Sequence, residues 1–125
     1  MTWTLTIPIE VPSQNQTNAW HWSKRHKHTK RCGFLLTKAG AAGIPKATGK
    51  RRCHILAFRR QRCHDIANLI GGAKGFVDAI VRLGLLVDDK DLMAEISYDQ
   101  STLRYSPTPG EAATVIALED INTAS

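Results

Sequence analysis

The stretch Asp65-Ile66-Ala67-Asn68-Leu69-Ile70-Gly71-Gly72-Ala73-Lys74-Gly75-Phe76-Val77-Asp78-Ala79-Ile80-Val81-Arg82-Leu83-Gly84 decides how the chain folds. Asp65 is a residue type that caps helix N-termini, and Leu69, Ile70, Ala73, Phe76, Val77, Ile80 and Val81 recur at helical spacing. Gly84 is a natural stop at the C-terminal end. Gly71, Gly72 and Gly75 each cost about 1 kcal/mol inside a helix relative to alanine. They become sensible if another backbone packs very close to that face. The pattern predicts a helix from Asp65 to Gly84 pressed against a neighbour.

Upstream, Cys53, Ile55, Ala57 and Arg59 alternate with His54, Leu56 and Phe58, which predicts a strand buried on both faces. Its basic ends, Lys50-Arg51-Arg52 and Arg59-Arg60-Gln61-Arg62, would project from opposite edges of the sheet. Ala42 to Gly49 reads as a loop, and Asn18 to Ala41 as a helix weakened by Gly33. Pro12-Ser13-Gln14-Asn15 reads as a turn. Before it, Trp3, Leu5, Ile7 and Ile9 alternate within a half-buried strand, with Pro8 marking an edge or an end. Downstream, the acidic turn Val87-Asp88-Asp89-Lys90-Asp91 precedes strands near Met93–Tyr98 and Ala113–Leu118. The order β-α-β-α-β-β predicts one α/β domain over residues 1–125, with a mixed sheet, two main helices and a frayed tail at 122–125.

Composition agrees with a folded domain. The 125 residues are 42% hydrophobic, enough for one modest core and too apolar for a disordered tail. No apolar run approaches the ~20 residues that cross a bilayer. The opening MTWTLTIPIE lacks the basic start and cleavage site of a signal peptide. The expectation is a soluble, cytoplasmic protein. Cys32, Cys53 and Cys63 are odd in number and form no CxxC pair, so small buried thiols are expected. His54 and His64 follow two of them, but a structural zinc site needs two close ligand pairs.

The net charge of +6 conceals a segregation. Residues 1–62 hold thirteen Lys or Arg against Glu10 alone, whereas residues 63–125 hold four against ten acids. Such an offset suggests a basic face for a polyanion and a separate acidic patch, for which divalent metal binding is a reason. Around Trp20-His21-Trp22, the cations Lys24, Arg25, Lys27, Lys30 and Arg31 can neutralise phosphates while the aromatics stack on exposed bases. Arg51, Arg52, Arg59, Arg60 and Arg62 are further candidates for that face. The competing reading is a solvated helix face with a tryptophan in the core. His21, His26 and His28, set among cations, are poorly placed to attract a metal. The acids Asp65, Asp88, Asp89 and Asp91 converge only if the strand after Gly84 runs back alongside the helix, or if the acidic turn lies near the Asp65 end through the sheet.

The ordered combination resembles the RusA-like family of Holliday junction resolvases. The family motif runs Asp-x-Asp-Asn-Leu, a short spacer, Lys, and a helix containing Asp-Ala/Gly-Leu/Ile. A Gly-hydrophobic run and a paired Asp-Asp follow. The matching residues are Asp65, Asn68, Leu69, Lys74, Asp78-Ala79-Ile80 and Gly84-Leu85-Leu86-Val87-Asp88-Asp89. The N-terminal strand, Pro12-Ser13-x-Asn15 and the basic helix resemble phage-borne members, so the likeness covers roughly residues 3 to 119. It implies a homodimer that cuts four-way DNA junctions using Mg²⁺. Asp65, Lys74 and Asp89 would be catalytic, with metal held by Asp65, Asp89 and Asp88 and support from Asn15 and Asn68. A dimer would suit a substrate with its own twofold symmetry. The apolar Ile70, Phe76, Val77, Ile80, Leu83, Leu85 and Leu86 would supply spare surface for it.

One departure matters. Ala67 stands where the family has its second metal aspartate. Three accounts fit: another carboxylate (Asp88 or Asp91) fills the role, the chain is catalytically weak, or the alanine was introduced. A DNA-binding module without cleavage is therefore a competing expectation. An RNA-binding domain explains the charge but not the Asp–Lys–Asp pattern. Gly71-Gly72 lacks the following Gly-Lys-Ser/Thr, so no nucleotide cofactor is expected.

Overall fold

Alternating apolar residues place Leu5 and Ile7 in the core from β1 (Thr2–Ile7), and Cys53, Ile55 and Ala57 from β2 (Arg51–Arg59). These strands belong to a computed structural model that describes residues 1–63, 65–90 and 92–121. His64, Asp91 and the 122–125 tail, all named above, lie outside the described residues. β3 (Ala94–Thr102) and β4 (Ala113–Asp120) complete a sheet ordered β1-β4-β2-β3. β2 and β3 run parallel, while β4 is antiparallel to both β1 and β2, with Ile116 opposite Leu5 on one side and Ile55 on the other. The mixed sheet of one small α/β domain is as expected. β1 ends before Pro8, and β2 starts two residues early because Arg51 and Arg52 pair with Asp120 and Glu119 of β4.

The chain enters its first helix sooner than expected. Ser13 caps α1 (Gln14–Asn18): the Gln16 amide donates to the Ser13 hydroxyl at 3.2 Å, and the Ser13 amide donates to the Gln16 side chain at 2.8 Å. Pro12-Ser13-Gln14-Asn15 is thus a helix start rather than a free turn. A break then precedes α2 (Trp22–Lys38), capped by His21, whose Nδ1 accepts from the Ser23 amide.

The predicted Asp65–Gly84 helix is two segments, α3 (Ile66–Gly72) and α4 (Lys74–Arg82), joined at Ala73. The join follows Gly71 and Gly72, the weakest helix formers in the run. Asp65 caps α3, accepting from the Asn68 amide at 2.8 Å, and Gly84 turns the chain with φ +77°. The glycines do permit close approach. A Cβ on Gly72 would fall on the Pro12 carbonyl, and one on Gly75 would come within 2.8 Å of the His28 ring. α3 therefore lies on the entry to α1, and α4 on α2.

Phe76 and Ile80 of α4 meet Cys32 and Leu36 of α2 over Leu5, Ile55 and Ile116 in one core. On the opposite sheet face Leu56, Val115 and Ala117 are half-buried, so β2 is not fully buried on both sides. Phe76, Val77, Ile80, Leu85 and Leu86 are buried within the chain, which removes most of the spare apolar surface expected there. Ile70 stays exposed and Leu83 half-exposed. The three thiols are free and buried. Desolvation pushes those of Cys32 and Cys53 up to about 12 and raises that of Cys63. Among the described residues no helix is long and apolar enough to cross a membrane.

Candidate nucleic-acid interface

Two of the three arginines of β2 are buried. Arg51 is 2% exposed: Nε donates to Asp120 at 2.7 Å, Nη1 donates to the Leu85 carbonyl at 3.0 Å, and the guanidinium lies 4.6 Å from the centre of the Trp3 ring. Arg59 is 6% exposed, donates to the Val11 and Gln61 carbonyls and sits 3.9 Å from Glu10. Both follow the inward phase of Cys53, Ile55 and Ala57, so burial takes them out of the expected DNA face. Arg52 is exposed but spans Glu95 and Glu119, at 3.4 and 3.3 Å. Part of the charge offset is thus neutralised across the sheet, where Lys50, Arg51 and Arg52 meet acids of the second half.

α2 is arranged differently. Thr29, Cys32 and Leu36 form its buried stripe, which turns Lys24, Arg25, Lys27, Lys30 and Arg31 to solvent. None of these five forms a salt bridge among the described residues. Arg60 and Arg62 are exposed just beyond β2. Trp22 is 67% exposed, and Trp20 is half-buried and lies outside the core cluster, so neither takes the core position expected of one of them.

Trp20 anchors a short aromatic ladder. His28 meets it edge-on at 5.3 Å and in turn meets the buried Phe76 at 5.6 Å. Burial and then the charge of Arg31 lower the His28 pKa. Lys24 Nζ lies 4.7 Å from the centre of the Trp20 ring. Trp20 and His28 separate two cavities. One, of about 400 Å³, is bounded by α1, α2, α3 and α4 and includes Arg25, Lys74 and Asp78 in its lining. The other, of about 500 Å³, is lined in part by Glu10, Arg31 and Arg60.

The acidic candidates fall into separate groups. Gln100 of β3 exchanges two hydrogen bonds with the backbone of Cys63, which sets the direction in which the chain leaves for α3. Asp65 is exposed there, occupied as the helix cap, and the Asn15 amide donates to Asn68 Oδ1 at 3.1 Å. Asn15 and Asn68 are therefore brought together beside Asp65. Asp88 and Asp89 form a second group. The Asp89 amide donates to Asp88 Oδ1 at 2.7 Å. A side-chain hydrogen bond between the two carboxyls holds Asp88 below the usual carboxylate range and raises Asp89, with the charge of Asp78 adding to the rise.

Among the described residues no three His, Cys, Asp or Glu side chains converge as a metal-holding group. Exposed Ala67 offers no oxygen. The Trp20–His28 partition and the pairing of Arg25 with Lys74 in one cleft were not readable from sequence. The nearest signal was Gly75, whose missing side chain lets His28 in. No protein-family model matches the chain, and no curated protein matches its sequence.

Proposed function

We propose that this chain is a RusA-like protein that binds branched DNA, four-way junctions foremost, as a homodimer. The observation that carries the reading is the exposed cationic face of α2 beside the cleft that holds Trp20 and Lys74. Cations without carboxylate partners can take up phosphates and release counterions, and an adjacent aromatic suits bases that have lost a stacking neighbour. The half-buried Leu56, Val115 and Ala117 on the helix-free sheet face offer apolar area for a second copy.

Mg²⁺-dependent cleavage is the second reading, favoured by the sequence order Asp65, Asn68, Lys74, Asp78, Asp88-Asp89. Ala67, which offers no oxygen where the family pattern has an aspartate, favours binding without cutting. The deciding experiment incubates labelled four-way junctions with the parent and with Ala67→Asp, with and without Mg²⁺, scoring binding and nicking separately. The parent should bind the junction more tightly than a duplex of the same sequence, with or without Mg²⁺. Ala67→Asp places a carboxylate in the first turn of α3, where the helix dipole tolerates it, and should raise Mg²⁺-dependent nicking. Efficient nicking by the parent that falls in Lys74→Ala and Asp89→Asn would move the conclusion to the nuclease. Equal affinity for junction and duplex would overturn the branched-DNA reading, and sedimentation as a monomer with junction binding intact would remove the dimer.

A further inference from the structure

The cleft between the helices is too small for a duplex, but its volume of about 400 Å³ lies in the range of small-ligand sites. Its lining mixes aromatic, cationic and acidic groups. Trp20 and His28 present aromatic surface, Arg25 and Lys74 present cations, and Asp78 presents a carboxylate acceptor. Arg25 and Lys74 can take phosphates there, and Asp78 can accept from a base that carries N–H donors. Trp20 and His28 also border the neighbouring cavity, where Arg31 supplies another cation, so basic groups lie on both sides of the aromatic partition. A strand crossing the partition would meet cations before and after it, with an aromatic wall between.

We propose that this cleft receives one unstacked nucleotide from the branch point, its base against Trp20 and His28 and its flanking phosphates at Arg25 and Lys74. The proposal rests on the branched-DNA reading and names the part of the substrate that the site recognises. In an unstacked junction the bases at the crossover have lost a stacking neighbour, and extrusion costs least where stacking or pairing is already lost. A paired, stacked base in continuous duplex has no comparable access, so the cleft would supply preference for the branch.

The test uses four-way junctions with 5-iodocytosine at the crossover, irradiated in complex with the full chain, and peptide mapping of the crosslink. The crosslink should fall on the peptide carrying Trp20. Trp20→Ala removes the wall, and Thr17→Trp fills the cleft from the half-exposed rim on α1. Each should weaken junction binding about tenfold and leave duplex binding nearly unchanged, with thermal melts showing that both variants fold. Two variants that act in opposite ways, one emptying and one plugging, keep the result readable if either proves unstable. Junction binding unchanged in the folded variants, or crosslinks that map away from Trp20 and His28, would reject the cleft and leave the branched-DNA reading standing. A parent that treats junction and duplex alike would remove that reading, and the cleft proposal with it.

Discussion

Arg51 lies against Trp3 with its guanidinium held by Asp120 and the Leu85 carbonyl, so its charge is spent on the sheet rather than on a phosphate. Arg51→Met should cost about 2 kcal/mol in urea denaturation, through lost charged hydrogen bonds. The loss is held to that size because Asp120 is half exposed and rehydrates. The same variant should leave the salt dependence of DNA binding unchanged. His28 makes the other residue-scale prediction. Its burial lowers its pKa below the unfolded value of 6.5, so the unfolded chain takes up the proton first. The stability this contributes is present above pH 6.5 and is lost as pH falls towards the lowered value. The Tm should therefore drop as pH is lowered through that window. In His28→Phe, which keeps an aromatic ring between Trp20 and Phe76, that part of the drop should vanish. An identical pH profile in the variant would show that His28 does not titrate differently on folding. The inward phase of Arg51 and Arg59 was legible, since both share the parity of Cys53, Ile55 and Ala57. What the sequence concealed was which acids would meet them, because Asp120 lies far along the chain and Glu10 precedes a different element.

Between elements, the glycines set how closely the helices lie. Gly72→Ala would gain about 1 kcal/mol of helix propensity. It would also drive a methyl group into the Pro12 carbonyl, which is backbone and cannot swing aside. The net loss should be about 2 kcal/mol or more. Gly33→Ala in α2, with open space around the new carbon, should be neutral or stabilising. Urea midpoints for the pair check this, and equal midpoints would remove close packing as the reason for Gly72. The strands and this close packing were readable because alternation and glycine placement are local signals. Ser13 and Gln16 carry the spacing of a capping box, so α1 was also open to reading, though Pro12-Ser13 equally suits a turn. The cleft was not readable. It draws Trp20, Arg25, Lys74 and Asp78 from two separated stretches of chain, and no local pattern encodes that juxtaposition.

For the whole molecule, pairing across the sheet decides which positive charge is left for a partner. Arg51 and Arg52 are matched by acids of β3 and β4, while the cations of α2 have no such partner among the described residues. Lys27→Glu, Lys30→Glu and Arg31→Glu should each lower the slope of log affinity against log salt by about one. Unchanged slopes would take α2 out of the interface. The strand order has a further bearing on how such a molecule is made. β4 follows the other strands in sequence, yet it sits between β1 and β2, with Thr2 opposite Glu119. The sheet cannot zip from its first strand onwards, because β1 has no partner until Ala113–Asp120 arrives to join it to β2. On a growing chain, β1 and β2 wait with unsatisfied backbone edges, a topology that slows folding and invites pairing with other nascent chains.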